Sequence, residues 1–318
     1  MTRLTRKFAG SASALALLFA LPACAQTQQL PTPVETTRVA AETVEMASIP
    51  APSGPALWQL ADDDTTIYLF GTVHALPKDV EWLKDDVATA LSSSDKLVTE
   101  IMMTPDIPQR MQALISTKAL LPEGQTLRGL LNDDQRASYD AAMTKIGLPP
   151  ATFDQFEPWF AAMNLAMIPL QQQGYDAETG VEKVLEKNAG AKMERGELET
   201  VEFQISVFDE LPLDSQVKFL IETAENVDEI KPMLDKMVAE WVEGDAEALA
   251  VLMNDSMTDP VLADRLLYAR NGNWAEWIDN RMDQPGTIFI AVGAGHLAGD
   301  KSVQDLLAAR GFKVIRVQ

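Results

Sequence analysis

Hydrophobic and polar positions follow three different rhythms along the chain. Ala56 to Ala61 and Thr65 to Val73 are β-rich runs separated by Asp62-Asp63-Asp64, which predicts a hairpin. Val80 to Leu91 is apolar at positions 80, 83, 87, 90 and 91, a helical spacing, and Ser92-Ser93-Ser94-Asp95 ends it. Lys96 to Ile101 reads as a strand again. The long middle is helical, with helices predicted near 107–117, 133–146, 154–173, 179–188, 200–210, 213–225, 231–242, 245–253 and 260–283. The breakers Pro122, Pro149-Pro150, Gly174, Pro212, Pro232 and Pro260 separate them, and a short β-like segment falls near 191–195. After a turn at Gly286, Thr287 to Val292 is a strongly apolar strand. A helix from about Lys301 to Ala309 and a last strand over Phe312 to Val317 complete the pattern. The pattern predicts an α/β fold. A central mixed β-sheet is formed by the N- and C-terminal segments (56–101 and 286–318), with a large, mainly helical insertion (102–285) between them.

What precedes the first strand is of a different kind. Arg3, Arg6 and Lys7 lead into a short apolar stretch, Phe8 to Ala20, then small residues, which is the layout of an export signal over residues 1–23. The stretch is too short to span a bilayer. Leu21-Pro22-Ala23-Cys24 resembles a lipobox, in which Cys24 would carry a lipid; Ala23-Cys24-Ala25 equally fits cleavage before Gln26. Either outcome predicts a periplasmic or cell-envelope protein of a bacterium, attached to a membrane only through a lipid on Cys24. Residues 24–55, with Pro31, Pro33, Pro50, Pro52 and Pro55 among Thr, Gln, Ser and Ala, read as an extended tether to a domain over 56–318.

Composition then excludes some functions. The formal net charge is −21, and removal of Arg3, Arg6 and Lys7 with the leader would make it more negative still. Nucleic acid and anionic lipid surfaces are poor partners for such a chain. Cys24 is the single cysteine, which rules out an internal disulfide and a cysteine nucleophile within the domain.

The chain has two histidines, and both close the same phrase: Gly71-Thr72-Val73-His74 and Gly293-Ala294-Gly295-His296. Each phrase follows a strand and precedes a helix. That places each imidazole at the carboxyl end of a strand, the edge where open α/β sheets bind ligands. Glycine lets the backbone turn sharply there. The strand–helix–strand order of 67–101 predicts parallel strands, which brings Glu100 to the same edge. Two imidazoles and a carboxylate form a ligand set suited to Zn²⁺, Mn²⁺ or Co²⁺, with open positions for water. His74, Glu100 and His296 are therefore the candidate metal ligands.

At these residues the chain resembles the TraB/GumN family, which includes the Tiki peptidases, and the resemblance spans roughly 56–318. Leu69-Phe70-Gly71-Thr72-Val73-His74 resembles its first G-x-x-H. Val98-Thr99-Glu100 resembles the strand bearing its acidic residue. Pro158-Trp159, Leu198-Glu199-Thr200 with Glu202 and Gln204, and Arg270-Asn271 resemble further family positions. Gly180-Val181-Glu182 is similar to its Gly-apolar-Asp, with Glu in place of Asp. Val292 to Gly299, VGAGHLAG, resembles the second G-x-x-H block. The resemblance implies two lobes around a cleft and, for the Tiki branch, metal-dependent peptide cleavage.

The expected function is a metal-dependent, peptidase-like hydrolase acting on an envelope peptide or protein. His74, Glu100 and His296 would hold the metal, with Glu199 as general base or as a supporting carboxylate behind the ligands, Arg270 at the oxyanion and Asn271 orienting a ligand. The alternative is an envelope protein that binds a peptide or a metal without turnover.

Overall fold

The computed structural model describes residues 54–256 and 259–318. The leader, Cys24 and nearly all of the tether lie outside the described residues. Strand β1 (Leu57–Ala61) turns back into β2 (Thr65–Thr72) as an antiparallel hairpin. Asp62 makes the turn: its Oδ1 accepts from the backbone N–H of Asp64 (3.1 Å) and of Thr65 (2.8 Å). Next come α1 (Asp85–Ser93) and β3 (Lys96–Thr99). The helix expected from residue 80 starts at Asp85. Pro77 lacks a donor, and Trp82, 3% exposed, turns inward from irregular backbone to stack on Phe70 at 5.4 Å.

The insertion carries α2 (Ile107–Lys118), α3 (Leu127–Leu130), α4 (Asp133–Lys145), α5 (Pro158–Gln172) and α6 (Val181–Asn188). Strand β4 (Glu194–Glu197) interrupts it, close to the β-like segment expected at 191–195. It pairs in parallel with β3 and so adds an edge strand to the sheet from inside the helical insertion. Then follow α7 (Val201–Asp209), α8 (Leu213–Glu225), α9 (Ile230–Glu243), α10 (Ala246–Ser256), α11 (Pro260–Ala263) and α12 (Ala269–Met282). The one helix expected over 260–283 is α11 and α12 joined through a wide π turn at 264–268. The chain closes with β5 (Gly286–Gly293), α13 (Val303–Ala309) and β6 (Ile315–Arg316). Only those two residues of the expected 312–317 strand pair, because β6 lies at the sheet edge against β1.

The result is a mixed six-stranded sheet of order β4-β3-β5-β2-β1-β6, an α/β fold. β2, β5, β3 and β4 are parallel; the C-terminal strand β5 is inserted between β2 and β3. This explains its continuous apolar character. Ile288, Ile290 and Val292 face a core shared with Trp274, Ile278 and Leu307 of α12 and α13. Phe289 and Ala291 face the opposite core, where Leu165 of α5, Leu220 of α8 and Leu234 of α9 pack. A strand covered on both faces has no polar side to show.

Candidate active site

The parallel register sets the two Gly-x-x-His phrases side by side: Gly71 pairs with Val292 and Thr72 with Gly293. The contact is tight enough that any side chain on Gly71 would push the second phrase away by a few tenths of an ångström. A Cβ on Gly71 would lie 3.0 Å from the Cα of Ala294. A second close approach positions the first imidazole's partner. A Cβ on Gly180 would meet the carbonyl oxygen of His74 at 2.1 Å, and Val181 N–H donates to Val73 O at 3.0 Å. The start of α6 is thus pressed onto the first phrase, and Glu182 faces His74. His74 Nδ1 lies 2.6 Å from Glu182 Oε1, which also accepts from the Thr72 hydroxyl at 2.5 Å.

Glu100 and Glu199 reach the same edge because the β3–β4 pairing continues past its last strand residues. Leu198 N–H donates to Thr99 O at 3.0 Å and Glu199 N–H to Glu100 O at 2.8 Å. Arg270, 2% exposed, lies between their side chains. Its Nε and Nη2 donate to Glu199 Oε1 and Oε2 at 2.8 and 2.7 Å, and Nη2 also donates to Glu100 Oε2 at 2.6 Å. Its Nη1 donates to Leu266 O at 3.0 Å, within the π turn, a helix irregularity frequent at functional sites. Trp274 Nε1 donates to Glu199 Oε1 at 3.0 Å, and Gln204 Nε2 donates to Glu100 Oε2 at 2.8 Å and Glu199 Oε2 at 3.3 Å. Glu100 Oε1 accepts from Gly293 N–H at 2.7 Å.

His296 is fully buried, its ring 4.2 Å from that of Trp274. Its Nδ1 is 2.5 Å from Asn271 Oδ1, while Asn271 Nδ2 donates to Lys301 O at 2.9 Å. With the amide nitrogen spent on a carbonyl, the oxygen faces the ring, so Nδ1 carries the proton and Nε2 the lone pair. Nε2 lies 3.2 Å from Arg270 Nη1 and 3.9 Å from Glu100 Oε1.

Charge at the site follows from this packing. Burial and the neighbouring Arg270 hold His296 well below the usual imidazole range, so it is neutral. Burial opposes charge on His74 as well, but the attraction and hydrogen bond of Glu182 outweigh it and lift its pKa to about 9. Burial would raise Glu100; Arg270, both imidazoles and the Gly293 N–H prevail and lower it to about 2. Glu182 is likewise lowered, His74 overcoming the cost of burial. Two carboxylates, Glu100 and Glu199, meet the Arg270 guanidinium, and a third, Glu182, meets the charged ring of His74.

Of the six residues singled out from sequence, five form one hydrogen-bonded cluster: Glu100, Glu199, Arg270, Asn271 and His296. His74 joins the other side of the cavity that Glu100 and Arg270 also line. The cavity, about 310 Å³, runs from these groups between Met111 and Ile115 of α2, Phe160 and Met163 of α5, and Ile205 and Phe208 of α7. Glu199 does not line it; its oxygens accept from Arg270, Trp274 and Gln204, the geometry of the supporting carboxylate among the two roles expected for it. Asn271 holds the ring of His296. Sequence reasoning missed Thr72 and Trp274. Thr72 sits inside the first phrase and Trp274 one helical turn beyond Arg270, a spacing that could have drawn attention to it.

The sequence pattern that defines the TraB/PrgY/gumN family matches residues 56–316, which span every residue of this cluster. The chain belongs to that family. A protein of Treponema pallidum (strain Nichols), named only as an uncharacterized protein, is 20% identical over 268 residues, covering 80% of each chain. No solved structure matches.

Family resemblance implies a divalent cation, and the donor set can be tested for one. Both imidazoles have Nδ1 against an acceptor, the arrangement that presents Nε2 to a metal. Glu100 Oε1 accepts one hydrogen bond and keeps a lone pair. Its 3.9 Å from His296 Nε2 is within the span of two metal–ligand bonds of about 2.1 Å each. Three carboxylates against one guanidinium and one imidazolium leave a surplus of negative charge, which favours a cation as well. In donor type the residues fit the ion, which would have to take the place of the second proton of His74 and of Arg270 Nη1 at the His296 lone pair. Among the described residues no three His, Cys, Asp or Glu side chains are already gathered as a metal cage.

Proposed function

We propose that this member of the TraB/PrgY/gumN family is a metal-dependent hydrolase of the cell envelope, peptidase-like, with His74, His296 and Glu100 as ligands of a Zn²⁺, Mn²⁺ or Co²⁺ ion. One observation carries the reading: Glu182 and Asn271 occupy the Nδ1 atoms of the two imidazoles, which leaves Nε2 of each ring as the atom for an ion, to be freed by loss of the second proton of His74 and by release of Arg270 Nη1 from His296, beside the buried carboxylate of Glu100. When bound, such an ion lowers the pKa of a coordinated water and polarises a carbonyl. The chain's own residues do the rest. Glu182 and Thr72 fix the ring of His74, and Asn271 fixes that of His296. Arg270, fully charged, lines the cavity with its guanidinium oriented by Glu199 and its five N–H groups taken by Glu199, Glu100, Leu266 O and His296, so what it offers a developing oxyanion is its positive charge; an N–H donor would come only from Nη1 once an ion holds His296. The apolar walls exclude water from the reacting bond. The export-type leader and the tether support an envelope location; among the described residues no helix is long and apolar enough to cross a membrane.

The test is metal content after loading with each ion and desalting. About one ion per chain is expected for the wild type and none for H74A or H296A. A wild-type protein that retains no ion overturns the metal. Cleavage of a peptide library by the loaded protein then establishes the hydrolase; an ion held without cleavage in any metal form favours the non-catalytic binding reading.

A further inference from the structure

The cavity beside the buried polar cluster has a composition that defines a substrate. Its walls come from α2, α5 and α7 and consist of Met111, Ile115, Phe160, Met163, Ile205 and Phe208. Its ionisable groups are three, His74, Glu100 and Arg270, close enough together for the charges of Glu100 and Arg270 to act on His74. A charged group pushed along these walls would lose its hydration without a partner. An apolar cavity of about 150 Å³ takes benzene; at about 310 Å³ this one takes a group roughly twice that size. The methionines suit a bulky group of variable shape, because the thioether chain adapts its packing.

Two amides also line the cavity, Asn164 and Gln204. Gln204 has spent both N–H groups of Nε2 on Glu100 and Glu199, and Asn164 Nδ2 spends one on Phe160 O at 2.8 Å. Gln204 is left with a carbonyl oxygen, which only accepts, and Asn164 with its carbonyl oxygen and one N–H. Such oxygens suit a ligand that brings an N–H donor beside its apolar group.

We infer that the cavity is the specificity pocket of this site and takes a bulky, uncharged apolar side chain of a peptide, with Asn164 and Gln204 accepting from backbone N–H groups next to it. The inference rests on the peptidase-like reading above for the position of the scissile bond, but not for binding itself.

The experiment uses the full-length protein and displacement of the fluorescent apolar probe N-phenyl-1-naphthylamine by N-acetyl amides of Phe, Leu, Ala, Asp and Lys. Phe and Leu amides should displace the probe at concentrations at least about tenfold lower than Asp or Lys amides, the discrimination expected for burying one large apolar side chain. The ester analogue of the Phe compound, lacking the acetamide N–H, should bind more weakly. Met163→Trp and Ile205→Trp, which fill the cavity from opposite walls, should each weaken probe binding at least about tenfold, and Met163→Leu should change it less than about twofold. Equal displacement by charged and apolar amides, or unaltered probe binding in folded M163W and I205W, overturns the pocket. Should both tryptophan variants fail to fold, the amide series on the wild type decides alone. Apolar-selective binding without cleavage in any metal form refutes the hydrolase and leaves the pocket standing. Cleavage indifferent to the apolar residue does the reverse.

Discussion

Asn271 decides which nitrogen of His296 carries the proton: its Oδ1 lies 2.5 Å from His296 Nδ1, and its Nδ2 is tied to Lys301 O at 2.9 Å. The neighbour that sets an imidazole's tautomer also sets what that imidazole can bind. In N271L the acceptor is gone while the volume is nearly kept. Metal affinity, measured by competition with a chromophoric chelator, should fall about 10- to 100-fold. N271D, which retains an acceptor, should lose much less. Equal affinity in N271L and wild type would show that His296 needs no such partner.

Arg270 is buried between Glu100 and Glu199, and its removal leaves both carboxylates without their cation. R270M should lower the free energy of unfolding by about 3–5 kcal/mol in urea denaturation, since the cost is that of orphaned buried charge. R270K keeps the charge but not the planar fork that contacts Glu199 through two nitrogens, and should fall between the two. A loss below about 1 kcal/mol in R270M would mean that the carboxylates find other compensation.

Gly180 and Gly272 should respond oppositely to alanine. At Gly180 the new Cβ would lie 2.1 Å from the His74 carbonyl oxygen, so α6 must retreat and carry Glu182 away from His74. G180A is expected to cost about 2 kcal/mol or more and to weaken metal binding. Gly272 lies inside α12 with nothing within 4 Å of an added Cβ, and G272A should stabilise the fold by about 0.5–1 kcal/mol. Thermal unfolding of the two variants side by side checks both signs.

Glu222 supplies a pH dependence away from the site. It is 7% exposed, its Oε2 accepts no hydrogen bond among the described residues, and Lys218 approaches Oε1 no nearer than 4.0 Å. Burial, which outweighs Lys218 and is reinforced by Asp259 and Glu225, raises its pKa to about 7 from 4.5. The folded state therefore holds a proton between pH 4.5 and 7 that the unfolded chain has released. Stability from this group is complete below pH 4.5 and declines as pH rises through 7. Relative to E222Q, the wild type should lose on the order of 2 kcal/mol between pH 4.5 and 8. A difference between the two proteins that stays flat over this range would refute the assignment.

Much of the frame was legible in local pattern. The Asp62 turn, the helical spacing of the insertion and the unbroken apolar run of β5 all report on neighbours along the chain or on burial. Both histidines stood at strand ends, and Glu100 could be assigned to their edge from the strand–helix–strand order alone. Other features were not legible. That β5 enters between β2 and β3, that β4 is drawn from the insertion, and that the helix after Pro77 begins only at Asp85 all depend on contacts between residues far apart in sequence. Trp82, for instance, leaves its expected helix because Phe70 and Trp241 offer it a buried aromatic site.

By itself the sequence determined the α/β class, the family and the residues of the candidate site, because residue type and short-range periodicity are local properties. Tertiary structure alone decided their roles. Glu182 became the partner of His74 because Gly180 lets α6 touch the first phrase. Glu199 became the holder of Arg270 because β3–β4 pairing brings it beside Glu100. The apolar cavity exists only where α2, α5 and α7 meet over the sheet edge. A carboxylate serves as ligand, base or clamp according to the donors that reach it, and those donors come from segments of the chain that only folding brings together.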